Sequence, residues 1–168
     1  MIKINRYTLP AWIATSVAGV WVGMLILLGV GVAPVIFKFM ESKTQAGLLN
    51  GIILHRMNII EAVCGSILLS VFLYSFLRKK DRLRGVQLIG ILLVLINLTY
   101  YSAIITPRME TLKQTIQNFD VPRSEDKRPE REEFDLLHKQ YSSLVTVNII
   151  LLLVLSFMAT HTPKQDEV

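Results

Sequence analysis

The chain has 168 residues, 52% of them hydrophobic, with a mean hydropathy of +0.46 and a formal net charge of +5. The placement of that charge excludes an ordinary soluble domain. No Asp, Glu, Lys or Arg lies between Arg6 and Lys38, between Arg84 and Arg108, or between Lys139 and Lys164, and only Glu61 interrupts the run from Arg56 to Arg78. The basic excess does not point to nucleic acid either: its densest cluster, RKKDRLR at Arg78–Arg84, is squeezed between two apolar stretches, and no recognition motif accompanies it.

A membrane span needs about 20 mostly apolar residues. Four segments meet that length, at residues 11–33, 56–77, 85–106 and 141–160. They predict an all-α, integral-membrane four-helix bundle occupying residues 1–168 as one domain, with the lipid bilayer as its first partner. The opening segment follows Lys3 and Arg6 but exceeds the 7–15-residue core of a signal peptide and has no A-x-A site, so it reads as the first span. It carries a small-xxx-small step, Gly19 to Gly23, with Ser16 before it. Such a step lets helix backbones approach closely. The expected use is packing inside the bundle, with homo-oligomerisation as the alternative. Pro34 is expected to bend the end of this helix.

The second segment raises the main question. His55, Arg56, Asn58 and Glu61 crowd the stretch ILHRMNIIEAVCGSILL, although an ionised group at a helix centre costs roughly 2.5–3.5 kcal/mol on insertion scales. Gly47, Gly51, Leu54, Asn58, Glu61, Gly65, Leu68 and Phe72 recur at steps of four and three, which defines one helix face. At 100° per residue Asn58 lies about 60° from Glu61, and Arg56 about 140° away. Arg56 is therefore expected to snorkel to the rim, and Glu61 to face other helices. Cys64, the one cysteine, lies in this span, so no internal disulfide forms.

The five basic residues and one acid of Arg78–Arg84 predict a cytoplasmic connection. Both termini then share the cytoplasmic side of a cell membrane, and residues 107–140 lie outside. In the third span Asn97 and Tyr100 face one way. Pro107 is expected to bend the helix, which is predicted to continue through PRMETLKQTIQNF, and DVPRSEDKRPE (Asp120–Glu130) reads as a flexible loop. In the fourth helix Phe134, His138, Tyr141, Val145, Asn148, Leu152 and Leu155 form an unbroken seam that starts before the apolar span. Helix is thus predicted across Glu132–Thr160. Helices that outrun the roughly 30 Å hydrocarbon core are expected to protrude on the extracytoplasmic side.

The outer halves of three helices bring carboxylate, amide, phenol and imidazole groups together, whereas the inner halves offer mainly apolar groups. The expected ligand-binding set is Glu61, Asn58, Asn97, Tyr100, His138, Tyr141 and Asn148. The alternative use of the same groups is interhelical hydrogen bonding, worth roughly 0.6–2 kcal/mol each. Metal binding has thinner support: one D-x-x-H, Asp135 and His138, with His55, Met40, Met57 and Met109 scattered near the same rim. A di-metal bundle needs two E-x-x-H helices and two further acids. No hydrolase elbow, P-loop or zincin motif appears, so no reaction and no cofactor is indicated.

The segments GVGVAPVIFKFM, AGLLNGIILHRMN, IITPRMETLK and FDLLHKQYSSLVTVN, in this order about four spans, resemble the TMEM205-like membrane proteins, a family grouped under domain of unknown function 4149. The matching positions are Pro34, Phe37, Gly47, Pro107, Arg108, Phe134 and His138. The resemblance implies a four-helix integral membrane protein and no established reaction. The combined expectation is a polytopic membrane protein with an extracytoplasmic polar cleft that binds or passes a small ligand or ion. An accessory subunit without a ligand is the rival, and a membrane metalloprotein the third reading.

Overall fold

The computed structural model describes residues 8–160. Lys3 and Arg6, which entered the orientation argument, lie outside the described residues. The elements in chain order are α1 (Thr8–Ile26), a π-helical turn (Leu27–Val32), α2 (Ala33–Phe39), α3 (Lys43–Arg78), α4 (Arg82–Tyr100), a second π-helical turn (Tyr101–Ile105), α5 (Thr106–Ile116) and α6 (Pro129–Thr160). They join into four rods, Leu9–Phe39, Lys43–Arg78, Arg82–Ile116 and Pro129–Thr160, each long and apolar enough to cross a membrane. The described chain is all-α, with the composition of a multi-pass membrane protein. Side-chain caps start the two rods that follow short connections. Ser42 Oγ accepts the Gln45 N–H at 3.2 Å, and Asp81 Oδ1 accepts the Arg84 N–H at 2.9 Å, each satisfying an amide that the helix itself leaves free.

Pro34 and Pro107 do perturb their helices, through a change of helical register just before each ring. A proline has no N–H to donate and crowds the carbonyl four residues back. Those carbonyls belong to Val30 and Ala103, and both lie inside the π turns. The residue ahead of each proline bonds five residues back instead, Ala33 N–H to Leu28 O and Thr106 N–H to Tyr101 O. Thr106 Oγ1 adds a second bond to the same Tyr101 carbonyl at 2.8 Å.

The helices pack in a ring: α1 against α3, α3 against α4, α4 against α6, and α6 back against α1. The two bent rods thus stand diagonally opposite each other. They also share a register. The shift that carries Pro34 onto Pro107 carries the buried positions Ala14, Ala18, Trp21, Leu25 and Leu28 onto the buried positions Gln87, Ile91, Val94, Leu98 and Tyr101. A second constant shift carries the buried Glu61, Gly65, Leu68 and Phe72 of α3 onto Asn148, Leu152, Leu155 and Ala159 of α6. The molecule is built as two similar bent-rod-plus-straight-rod halves. No repeat is visible in the letters of the sequence, because burial is duplicated and residue identity is not.

Three expectations need correction. Gly19 and Gly23 do not pack inside the bundle: both are exposed, and a Cβ built on either meets nothing within 4 Å. The face of α1 that packs is the Ala14–Ala18–Trp21 stripe. Second, the third rod stops at Ile116, short of Phe119. Gln117 has φ 56°, and the Asn118 N–H bonds Ile116 O at 2.6 Å, a tight three-residue turn that no helix can continue. Third, the segment expected to be a flexible loop is irregular but pinned. Arg128 grips the buried Asp126 through two 2.8 Å bonds and reaches Ile116 O at 3.2 Å, while Arg123 holds Asp135 at 2.6 Å. The Arg128 fork holds the Asp126 carboxyl at a pKa of about 2. α6 begins inside that segment, at Pro129, and runs unbroken to Thr160, as its seam predicts.

A buried carboxylate beneath an end cavity

Glu61 is fully buried, and its two oxygens are treated unequally. Oε2 accepts both the Trp21 indole N–H at 2.8 Å and the Tyr101 phenol O–H at 2.5 Å. Oε1 has no hydrogen-bond partner. Both donors thus converge on one oxygen, and the other receives none. Gly65, one turn along α3, makes room for the arrangement: a Cβ there would lie 3.3 Å from the Trp21 ring and 2.5 Å from Leu95. Arg56 is exposed and makes no ion pair with Glu61, in keeping with their separate faces.

The structure distributes the other sequence-predicted residues over two levels. Asn148 is fully buried, receives the Asn97 amide at 3.2 Å and donates to Val94 O at 3.3 Å. Tyr141 is buried, meets Tyr101 edge-on at 5.1 Å between ring centroids, and reaches Asn58 Oδ1 at 3.5 Å. Asn97 is therefore paired with Asn148 and Asn58 with Tyr141 inside the bundle, and Tyr101 joins Tyr141 to Glu61. Tyr100 is not among them: it is 45% exposed on the outside of the bundle, and its neighbour Tyr101, fully buried, takes the inward place. The buried stripe of the third rod is Val94, Leu98, Tyr101 and Ile105, and stepping four from Asn97 instead of three would have found it. No sequence expectation covers Trp21, an aromatic residue in an uncharged apolar span. His138 belongs to a different level, stacked on Phe134 at the rim.

That rim encloses a cavity of about 410 Å³, between the start of α3, the end of α5 and the start of α6. Its walls mix Phe37, Leu48, Leu54, Met109, Phe119 and Phe134 with Lys43, Lys113, Arg131 and His138, and no Asp or Glu lines it. Lys113 pairs with Glu110 at 2.7 Å and contacts Gly47 O at 3.5 Å. Arg131 lies over the Phe119 ring at 4.3 Å, and its buried Nε and Nη1 have no hydrogen-bond partner. Its nearest carboxylate, Asp135, stands 4.0 Å away and is already held by Arg123. Asn50 Oδ1 is likewise buried without a partner. Glu61 lies two turns along α3 from the cavity residue Leu54, and the layer between includes the Tyr141–Asn58 contact.

Residues 16–118 match the family described as Domain of unknown function (DUF4149). The chain belongs to the DUF4149 family. The match covers Trp21, Glu61 and Tyr101 and ends just past α5, so the DUF4149 region supplies three rods while Arg131, His138 and Asn148 come from the chain beyond it. It supports the domain of unknown function and does not reach the narrower TMEM205-like likeness, which rests on the motifs alone. No curated protein and no solved structure matches the chain. Among the described residues no group of three or more His, Cys, Asp and Glu side chains could hold a metal ion. In the D-x-x-H pair, Asp135 is engaged by Arg123 and His138 by the Phe134 ring.

Proposed function

We propose that this DUF4149 protein is a cell-membrane binding protein that holds a small ligand in the cavity at the loop-bearing end of its bundle, and that this end is extracytoplasmic. The observation that carries the reading is the cavity itself, about 410 Å³ with buried polar atoms that lack partners. That volume lies within the roughly 300–1,000 Å³ of small-molecule sites. The orientation rests on the basic Arg78–Arg84 connection at the opposite end, and the rods are long enough to protrude on the outer side. The ligand-binding centre moves outward from Glu61 to Asn50, Lys113, Arg131 and His138. Glu61, Asn148 and their partners then act as the alternative reading had it, fixing helix register, which the sealing of Glu61 by Trp21 and Tyr101 favours.

The test uses single cysteines in a Cys64→Ser background. Ser124→Cys and Asn50→Cys should both react with a membrane-impermeant maleimide added outside intact cells. Gly47→Phe should shield Asn50→Cys and leave Ser124→Cys reactive, because Gly47 lines the cavity and a Cβ there meets nothing within 4 Å. Labelling of Ser124→Cys only after the cytoplasmic face is opened would reverse the orientation. An Asn50→Cys thiol that never reacts would remove the cavity from the proposal.

A further inference from the structure

The cavity is unlike the rest of the loop-bearing end in its charge. Near it, three arginines are matched to acids: Arg108 to Glu133, Arg123 to Asp135 and Arg128 to Asp126. Inside it the balance fails. Of its cations only Lys113 has a carboxylate at hydrogen-bond distance, no carboxylate pairs with Lys43 among the described residues, and Arg131 turns two buried nitrogens towards no acceptor. Asp135 offsets part of the Arg131 charge from 4.0 Å, but two buried N–H donors without an acceptor remain costly, and a negative group in the cavity would satisfy them. The remaining wall is hydrocarbon and aromatic. Two of its members, Phe37 at 46% exposure and Leu48 at 56%, are also exposed on the surface of the rods, so the apolar wall continues from the cavity to the protein surface.

From this juxtaposition we infer that the ligand is a single-chain anionic amphiphile, its acidic head held by Arg131 and Lys113 and its chain laid along Phe37, Leu54 and Met109. The volume decides between lipids. About 410 Å³ is at the small end of known ligand sites, enough for one medium-length chain and its head and too little for a two-chain phospholipid. Carboxylate and phosphate heads share the chemistry that Arg recognises through paired N–H donors. This inference rests on the cavity being a binding site, as proposed above, and adds the class of ligand.

The full-length protein in phosphatidylcholine nanodiscs, with protein-free nanodiscs as background, allows the test. The probe is cis-parinaric acid, a fluorescent single-chain fatty acid. Laurate or dodecyl phosphate should displace it, and whichever is stronger names the head. Dodecanol, with the same chain and no charge, and inorganic phosphate, with charge and no chain, should each compete at least tenfold less well. Arg131→Gln and Lys113→Gln should each weaken probe binding about tenfold, while Arg108→Gln, outside the cavity, should not. The wild-type comparison of laurate with dodecanol stands even if a variant fails to fold. Equal competition by dodecanol would overturn the anionic class and leave the cavity as a binding site. Displacement by inorganic phosphate alone would overturn the amphiphile. Failure of every probe, together with an unreactive Asn50→Cys, would take down both the inference and the reading beneath it.

Discussion

Glu61 answers at the residue scale what an acid is doing in an apolar helix. It is the common acceptor for two donors from two other rods, and buried Trp and Tyr donors each need one. Glu61→Gln keeps a carbonyl oxygen for both, so thermal stability in detergent should change by less than about 1 kcal/mol. Glu61→Leu leaves the Trp21 N–H and the Tyr101 O–H unsatisfied, at about 1–3 kcal/mol each, and should lower the melting temperature clearly. Equal melting of the two variants would mean that Oε2 is not the anchor. Gln117 carries a different kind of strain. A side chain at φ 56° in a three-residue turn costs of order 1–3 kcal/mol, and glycine relieves most of it. Gln117→Gly should therefore raise the melting temperature; a fall would show that the Gln117 side chain contributes more than its backbone costs.

At the scale of elements, the joint between α3 and the 117–128 segment is made by Asp120. Its carboxylate takes Ser42 Oγ at 2.9 Å, Thr44 Oγ1 at 3.1 Å and the Lys43 N–H at 2.5 Å, while Thr44 Oγ1 accepts the Phe119 N–H at 2.9 Å. An acid placed at a helix N-terminus is favoured by its free amides and dipole. The Ser42 hydroxyl foremost, with the first amides of α3, holds the Asp120 carboxyl below the usual carboxylate range. The folded pKa is thus lower than the unfolded one, so this contribution is complete above the ordinary value of about 3.9. It is lost as pH falls through the depressed value. Hydrogen exchange at Lys43 and Thr44 should accordingly speed up, relative to the intrinsic rate, only below about pH 4. Asp120→Asn should flatten that dependence. Protection that is insensitive to acid in the parent protein would exclude the cap.

At the scale of the whole molecule, two similar halves enclose one polar level, with Glu61 and Asn148 at corresponding places in α3 and α6. The α1–α6 and α3–α4 interfaces both cross between the halves. Residues 1–80 and 81–168 expressed as separate chains should therefore reassemble in the membrane and co-purify, because the break falls in the short basic connection and spares every rod. Recovery of either half alone, without its partner, would argue that the register match has no energetic consequence. Parallel repeats with interrupted helices are one architecture that surrounds ligand sites in membranes, and here the π turns and prolines interrupt both bent rods on the cavity side of the polar level.

The sequence by itself determined the four rods, the continuous α6, the proline-perturbed first and third rods, and the inward face of Glu61 and Asn148. These follow from local chemistry: an apolar run of membrane length, a ring without an N–H, and a 3.6-residue period. Tertiary structure alone decided which groups meet. Trp21 and Tyr101 reach Glu61 because the ring order places α1 and the third rod beside α3, and no spacing within one helix encodes that order. Tyr100 and Tyr101 are adjacent letters, and the face of the rod that packs, carried on through the π turn, decides which of them turns inward. Gly19 and Gly23 read as a packing motif, yet the larger stripe with Trp21 occupies the interface. The cavity was legible only as a surplus of polar residues near the loop-bearing ends of the helices. The two Arg131 nitrogens without a hydrogen bond could not be foreseen, because Asp135 stands four residues away in the sequence and only the folded loop draws that acid to Arg123, leaving it 4.0 Å from Arg131.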